Sequence, residues 1–193
     1  MKRVAFFVSG SGTNMANLVK RISAGEIPAE AALVISNKSG VKALERAEEF
    51  GVPSVVISHK DYHSREAFDE ALAGCIDEHK IDLVCLCGFM RVLTEGFVRK
   101  YYGRIINIHP ALLPAFPGAH AIKDAWDAKV KETGVTVHFV DSDVDTGPVI
   151  LQRKVPVFPE DTLEALEARI HELEYRIYPE ALSLVLSGKV KVR

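Results

Sequence analysis

Val4-Ala5-Phe6-Phe7-Val8-Ser9-Gly10-Ser11-Gly12-Thr13-Asn14-Met15 runs from an apolar block through a glycine-rich turn into a helix pattern. Val4 to Val8 is apolar without alternation, as in a parallel strand covered on both faces. Ser9 and Gly10 end the block. Met15, Leu18, Val19 and Ile22 then recur at helical spacing, and Gly25 and Pro28 follow the stop.

The same alternation continues downstream. Ala32 to Ile35 reads as a second strand. Val41 to Phe50 is a helix closed by Gly51 and Pro53, and Val55 to Ile57 is a third strand. Ser64 is an N-cap with Glu66 in the first turn, opening a helix whose apolar stripe is Phe68, Ala71, Leu72, Cys75 and Ile76. Ile81 to Cys87 is a fourth strand, Thr94 caps a short helix reaching Tyr101, and Ile105 to Ile108 is a fifth strand. This order predicts an α/β fold, Rossmann-like and doubly wound, with a mostly parallel sheet and right-handed crossovers.

The last third changes character. Val135, Val137 and Phe139 alternate with Thr136 and His138, the pattern of a half-buried strand. Val149 to Val157 follows as its antiparallel partner across the Asp141 to Pro148 loop. Leu163, Leu166, Ile170, Leu173 and Ile177 mark a long final helix, and Val190 to Val192 reads as an edge strand. With no repeats or linkers, residues 1–193 read as a single domain whose two halves meet near residue 100.

The chain has 193 residues, 48% hydrophobic and 26% charged, enough for one full core. A net charge of -2 gives no electrostatic reason to expect nucleic-acid or membrane partners. The cysteines are Cys75, Cys85 and Cys87, an odd and low number that fits a reducing cytoplasm. Cys85 and Cys87 read as small hydrophobes on a strand. Without CxxC or HExxH spacing, no metal is expected. Lys2-Arg3 before Val4 to Val8 is too short for a signal start, and nothing approaches membrane-spanning length.

Four places carry candidate chemistry. Ser9 to Asn14 can turn backbone N–H groups at a helix N-terminus toward an anion. Gly10 and Gly12 begin a GxGxxG pattern, but Met15 stands where the third small residue belongs. The second strand ends in Ser36-Asn37, not the acid that binds a ribose diol. A dinucleotide is therefore disfavoured, the Walker lysine is missing, and a phosphate monoester is the better guest. The same residues also suit a turn without a ligand.

Gly88-Phe-Met-Arg-Val-Leu93 follows the fourth strand, with Phe89, Met90, Val92 and Leu93 as pocket walls and Arg91 as an anion clamp, or as plain core. Arg65 is a second anion partner or a solvated arginine. Arg104-Ile-Ile-Asn-Ile-His-Pro110 ends a strand at polar residues, and the carboxyl edge of an open sheet is where such folds keep their chemistry. Asn107 and His109, two apart, share a side. Together they bring an amide donor and a titratable imidazole, and Asp145 in Asp141-Ser-Asp-Val-Asp-Thr-Gly-Pro148 can orient that imidazole. His109 also suits a strand end, and Asp145 a turn. His120 and His138 read as polar site residues or as structural histidines. Glu174, late in the final helix, reads as part of a solvated face.

Ser9-Gly-Ser-Gly-Thr-Asn14, Ser36-Asn-Lys38, Ser64-Arg-Glu-Ala-Phe-Asp69, Gly88-Phe-Met-Arg91, Asn107-Ile-His-Pro110, Phe116-Pro-Gly118 and Asp145-x-Gly-Pro-Val149 together resemble the phosphoribosylglycinamide formyltransferases over nearly the whole chain. The resemblance implies formyl transfer from 10-formyltetrahydrofolate to the amine of N1-(5-phosphoribosyl)glycinamide, in de novo purine biosynthesis. It implies Gly12, Thr13 and Asn14 as phosphate contacts and Glu174 as a contact to the glycinamide. It assigns the folate to Arg65, Met90, Arg91, Val92, Leu93, Asn107 and the loop Val140, Asp141, Ser142, Asp143 and Val144. It makes residues 1–100 the phosphate-binding half and 101–193 the half with the catalytic residues and folate loop. Partners would be small molecules, with the chain a monomer or homodimer. Thr13 stands where Ser is common, which keeps the hydroxyl, and Ser142 is at a variable position.

Amine attack on a formyl carbon builds a tetrahedral oxyanion, to which Asn107 and protonated His109 can donate. The amine loses a proton and the folate nitrogen gains one, through His109 or an ordered water. With no GxSxG elbow or other candidate nucleophile, direct transfer is the simpler route. The enzyme rivals are a formyltetrahydrofolate deformylase, expected to carry an additional N-terminal domain, and a methionyl-tRNA formylase, expected to carry a further domain and a basic surface. A non-catalytic folate- or phosphate-binding module is the rival of a different class.

Overall fold

A computed structural model describes residues 1–192. Its elements are β1 Lys2–Val8, α1 Thr13–Ser23, β2 Ala29–Ser36, α2 Lys42–Glu49, β3 Ser54–Val56, α3 Arg65–Glu78, β4 Leu83–Leu86, α4 Glu95–Lys100, β5 Ile105–His109, α5 Ala121–Asp127, β6 Glu132–Phe139, β7 Val149–Pro156 and α6 Leu163–Leu186. They form two compact units, residues 1–106 and residues from Asn107 onward. β5 begins in the first and ends in the second.

In the first unit the strand order is β3-β2-β1-β4. β1 pairs in parallel with β2 from Lys2↔Ala29 to Val8↔Ser36, and with β4 on its other edge. Val4 to Val8 have no exposed surface, as the unbroken apolar run requires. Successive crossovers go one way from β1 to β2 and β3, then return to place β4 on the far side of β1. That reversal creates a crevice at the carboxyl ends of β1 and β4, flanked by the turn after β1 and the loop after β4. The Ser64 hydroxyl caps α3 by accepting from the Ala67 N–H at 3.1 Å, and Thr94 caps α4 in the same way from Phe97 at 3.4 Å. On α3, Phe68, Leu72 and Ile76 are buried as expected, whereas Ala71 and Cys75 are half-buried and Asp69 joins the core.

In the second unit β6 and β7 pair antiparallel, from Glu132↔Pro156 to His138↔Val149, with a register shift at Val137/His138. β6 is not half-buried: every residue after Glu132 is buried. Its polar side is covered because Thr136 anchors the chain that follows β5. The Thr136 hydroxyl donates to the Ala111 carbonyl at 2.7 Å and accepts from the Leu113 N–H at 3.2 Å and the Gln152 amide at 2.8 Å. α5 has no counterpart in the elements expected from the sequence. α6 buries Leu166, Ile170, Leu173 and Ile177 along the expected stripe. Val190 to Val192 is no strand. The N–H groups of Lys189 and Val190 turn back to the Leu184 carbonyl at 3.1 and 3.4 Å and so finish α6.

Candidate active site

Ser9 lies at the crevice of the first unit. Its buried hydroxyl donates to Asn37 Oδ1 at 2.6 Å and accepts from the Met90 N–H at 2.8 Å, joining the turn after β1 to the loop after β4. Gly12 is the N-cap of α1 at φ 66°. A Cβ there would lie 2.5 Å from Ala43 Cβ and 2.9 Å from Ala43 Cα, so the glycine is required by the approach of α2 as well as by its backbone. Thr13 and Asn14 open α1. The helix has no side-chain cap and no acidic residue in its first turn, so no carboxylate of that turn competes for its leading N–H groups and positive dipole end.

In the loop after β4, Met90 and Val92 are 63% and 56% exposed, large apolar side chains open to a partner, while Leu93 is buried and Arg91 half-buried. Phe89 stacks edge-on against Phe7 with ring centroids 5.2 Å apart. α3 holds this loop from one helix face. Arg65 donates to the Val92 carbonyl at 2.8 Å, and Asp69, one turn on, accepts from the Thr94 N–H at 2.6 Å. Burial pushes the Asp69 carboxyl up, against the pull of the Thr94 bonds and the Arg65 charge. Arg65 is therefore neither a purely solvated arginine nor a wholly uncommitted clamp.

The second unit gathers the polar residues that end β5. His109 is buried at the last position of the strand. Its Nδ1 lies 3.3 Å from Asp145 Oδ2, and its Nε2 lies 2.7 Å from the Phe116 carbonyl. Both nitrogens thus face acceptors, and only a ring with N–H on each donates to both. Asp145 is held at φ 57°, and its Oδ2 also accepts from the Gly118 N–H at 2.8 Å. Burial works to raise the Asp145 carboxyl. The adjoining His138 ring, the Gly118 N–H and the charge that the two imidazoles carry when protonated outweigh it and hold the group below the usual carboxylate range. The turn is fixed by Gly147, where a Cβ would sit 1.8 Å from the Phe139 carbonyl oxygen.

His138 is drawn into the same cluster. Its Nε2 is 3.4 Å from Asn107 Nδ2 and 3.6 Å from Asp145 Oδ1. His120 is exposed at the N-cap of α5. In the loop between β6 and β7, Val140 and Asp141 are half-buried and Ser142, Asp143 and Val144 are exposed. Asp141 Oδ1 closes that loop on itself, accepting from Thr146 Oγ1 at 2.7 Å and the Asp143 N–H at 3.3 Å. Glu174 does not belong to a solvated face. It is 5% exposed and bonds His171 Nδ1 at 2.9 Å, and that contact raises the His171 ring against the effect of burial. Among the described residues no cluster of three or more His, Cys, Asp or Glu has the arrangement of a metal site, and no helix is long and apolar enough to cross a membrane.

An imidazole bracketed by a carboxylate at a parallel sheet's edge, with an amide two residues before it, is equipped for proton transfer and oxyanion stabilisation without a covalent nucleophile. The formyl transferase family matches residues 2–182, and the chain belongs to that family. Within it, the chain is 42% identical to the phosphoribosylglycinamide formyltransferase of Bacillus subtilis (strain 168), over 96% of this chain and 95% of that protein. The crystal structure of glycinamide ribonucleotide transformylase 1 from Symbiobacterium toebii superposes with a TM-score of 0.97 at 44% identity, covering 100% of this chain and 91% of that one. The trifunctional purine biosynthetic protein adenosine-3 of Drosophila melanogaster is 50% identical over 97% of this chain, which spans only 14% of that protein's length.

Proposed function

We propose that the chain transfers a formyl group from 10-formyltetrahydrofolate to the amine of N1-(5-phosphoribosyl)glycinamide, a step of de novo purine biosynthesis. The observation that carries the reading is His109, buried at the end of β5 with the Asp145 carboxylate 3.3 Å from Nδ1. The names of the relatives that match over nine-tenths or more of their own length point the same way.

In this reading the amine attacks the formyl carbon, and the carbonyl oxygen takes on negative charge. Asn107 Nδ2 and His109 Nε2 donate to that oxygen. Nε2 first exchanges the Phe116 carbonyl for the substrate oxygen, and Asp145 keeps Nδ1 engaged while it does so. The attacking nitrogen then gives up a proton and the departing folate nitrogen gains one, through His109 or a water. The N-terminus of α1, at Gly12, Thr13 and Asn14, takes the phosphate. Glu174, a buried carboxylate, contacts the glycinamide end. Met90, Arg91, Val92, Leu93 and Arg65 serve the folate, as do Asn107 and residues 140–144. The reaction asks for no metal. The chain works as one formyltransferase domain, monomer or homodimer, in the cytoplasm.

The test is purified chain with 10-formyltetrahydrofolate, with and without the phosphorylated amine. Formylated amine should appear only when the amine is present. Formate production with water alone would favour the deformylase, and saturable folate binding without any product would favour a binding module.

A further inference from the structure

We propose that His138 is a positioning residue that sets the orientation of the Asn107 amide, acting as a neutral ring that accepts from Asn107 through Nε2. The inference rests on the reading of Asn107 as a donor to the reacting oxygen. His138 is 2% exposed, near the end of β6. Its Nδ1 lies 2.8 Å from the Phe139 carbonyl oxygen, which only accepts, so Nδ1 carries the proton. In a neutral ring Nε2 then presents a lone pair.

Two groups stand near that lone pair. Asn107 Nδ2, which only donates, is 3.4 Å away, and Asp145 Oδ1, which only accepts, is 3.6 Å away. The lone pair matches the amide and not the carboxylate. Asp145 has partners besides His138, because Oδ2 has the Gly118 N–H at 2.8 Å and His109 Nδ1 at 3.3 Å. One N–H of the Asn107 amide is therefore directed at His138, and the planar amide leaves the second for an incoming oxygen. A flipped amide would set its oxygen against the Nε2 lone pair and withdraw the donor. A ring protonated on both nitrogens would face Asn107 with an N–H and turn to Asp145 instead, so the two residues compete for one nitrogen.

The test is steady-state kinetics of His138→Leu, His138→Gln and His138→Asn, each alone and with Asn107→Ala. The glutamine side chain reaches the place of Nε2 with an acceptor oxygen, and the asparagine side chain reaches only the place of Nδ1. His138→Leu and His138→Asn should lower kcat about tenfold or more with both KM values nearly kept, because the lost interaction belongs to the transition state. His138→Gln should recover most of that loss. In the Asn107→Ala background, His138→Leu should cost less than about twofold further, since residues that act through one another are not additive. An equal loss in both backgrounds, or a glutamine variant as impaired as the asparagine one, would overturn the proposal. Should the leucine variant fail to fold, the glutamine and asparagine pair decides. A wild-type chain that transfers no formyl group would overturn this inference together with the functional reading, whereas active wild type with additive losses overturns this inference alone.

Discussion

His109 and Asn107 approach one reacting oxygen in the proposed mechanism, and this makes their replacement readable. Asn107→Ala and His109→Ala should each lower kcat by on the order of 10²–10³ while folate and amine binding are largely kept. The double variant should lose less than the product of the two. Near-normal kcat in either single variant would remove that residue from the chemistry. The signal for both residues is legible in the sequence, since an Asn and a His two apart at a strand end is a sequence pattern. The part played by His138 is not. The sequence reads His138 as a polar site residue or a structural histidine, and only the neighbouring placement of β5 and β6 brings its ring to the Asn107 amide. Glu174 is hidden for a similar reason, because a glutamate late in an amphipathic helix looks solvated until the helix is packed.

Asp145 gives a second prediction for a single side chain. Asparagine tolerates positive φ, so Asp145→Asn should keep the turn at φ 57° while removing the charge. It should lower kcat by on the order of 10²–10⁴, as when a carboxylate behind a catalytic imidazole is lost. The folded Asp145 carboxyl sits below its unfolded value, so its contribution to stability is complete above the unfolded pKa of about 3.9 and is lost as pH falls through the folded value. Chemical denaturation followed from neutral to acid pH should show a shallower acid loss in the variant. An identical acid limb would mean that the carboxylate is not held by its neighbours.

At the scale of elements, the start of α1 separates packing from binding. Gly12→Ala places a methyl against Ala43 of α2 and strains a left-handed backbone. It should cost on the order of 1–3 kcal/mol of stability, so it is a poor probe of phosphate. At Gly10 the space a Cβ would take has no heavy atom within 4 Å, and the backbone φ is not positive. Gly10→Val should therefore leave the melting temperature close to wild type and raise KM for the phosphorylated amine, with folate KM nearly unchanged. An unaltered amine KM would count against the α1 terminus as the phosphate site. The alternating strands and helices of the first unit are legible because each is an unbroken apolar block or a regular stripe ended by Gly, Pro or a capping hydroxyl. α5 escapes notice because Ala121–Asp127 is too short to show helical periodicity. The alternation at Val190 to Val192 misleads because it competes with completion of the α6 terminus.

For the whole molecule, the single domain proposed here is expected to unfold cooperatively. Calorimetry should show one transition with equal calorimetric and van't Hoff enthalpies, and two resolved transitions would contradict a single domain. The central claim is that the formyl carbon passes straight from folate nitrogen to substrate amine. It is tested most directly by a single turnover with 10-formyltetrahydrofolate labelled at the formyl carbon and with enzyme in excess. The label should leave the folate and enter the formylated amine at the same rate, with none bound to protein and none released as formate. A labelled protein intermediate, or label accumulating as formate while the amine stays unmodified, would contradict it.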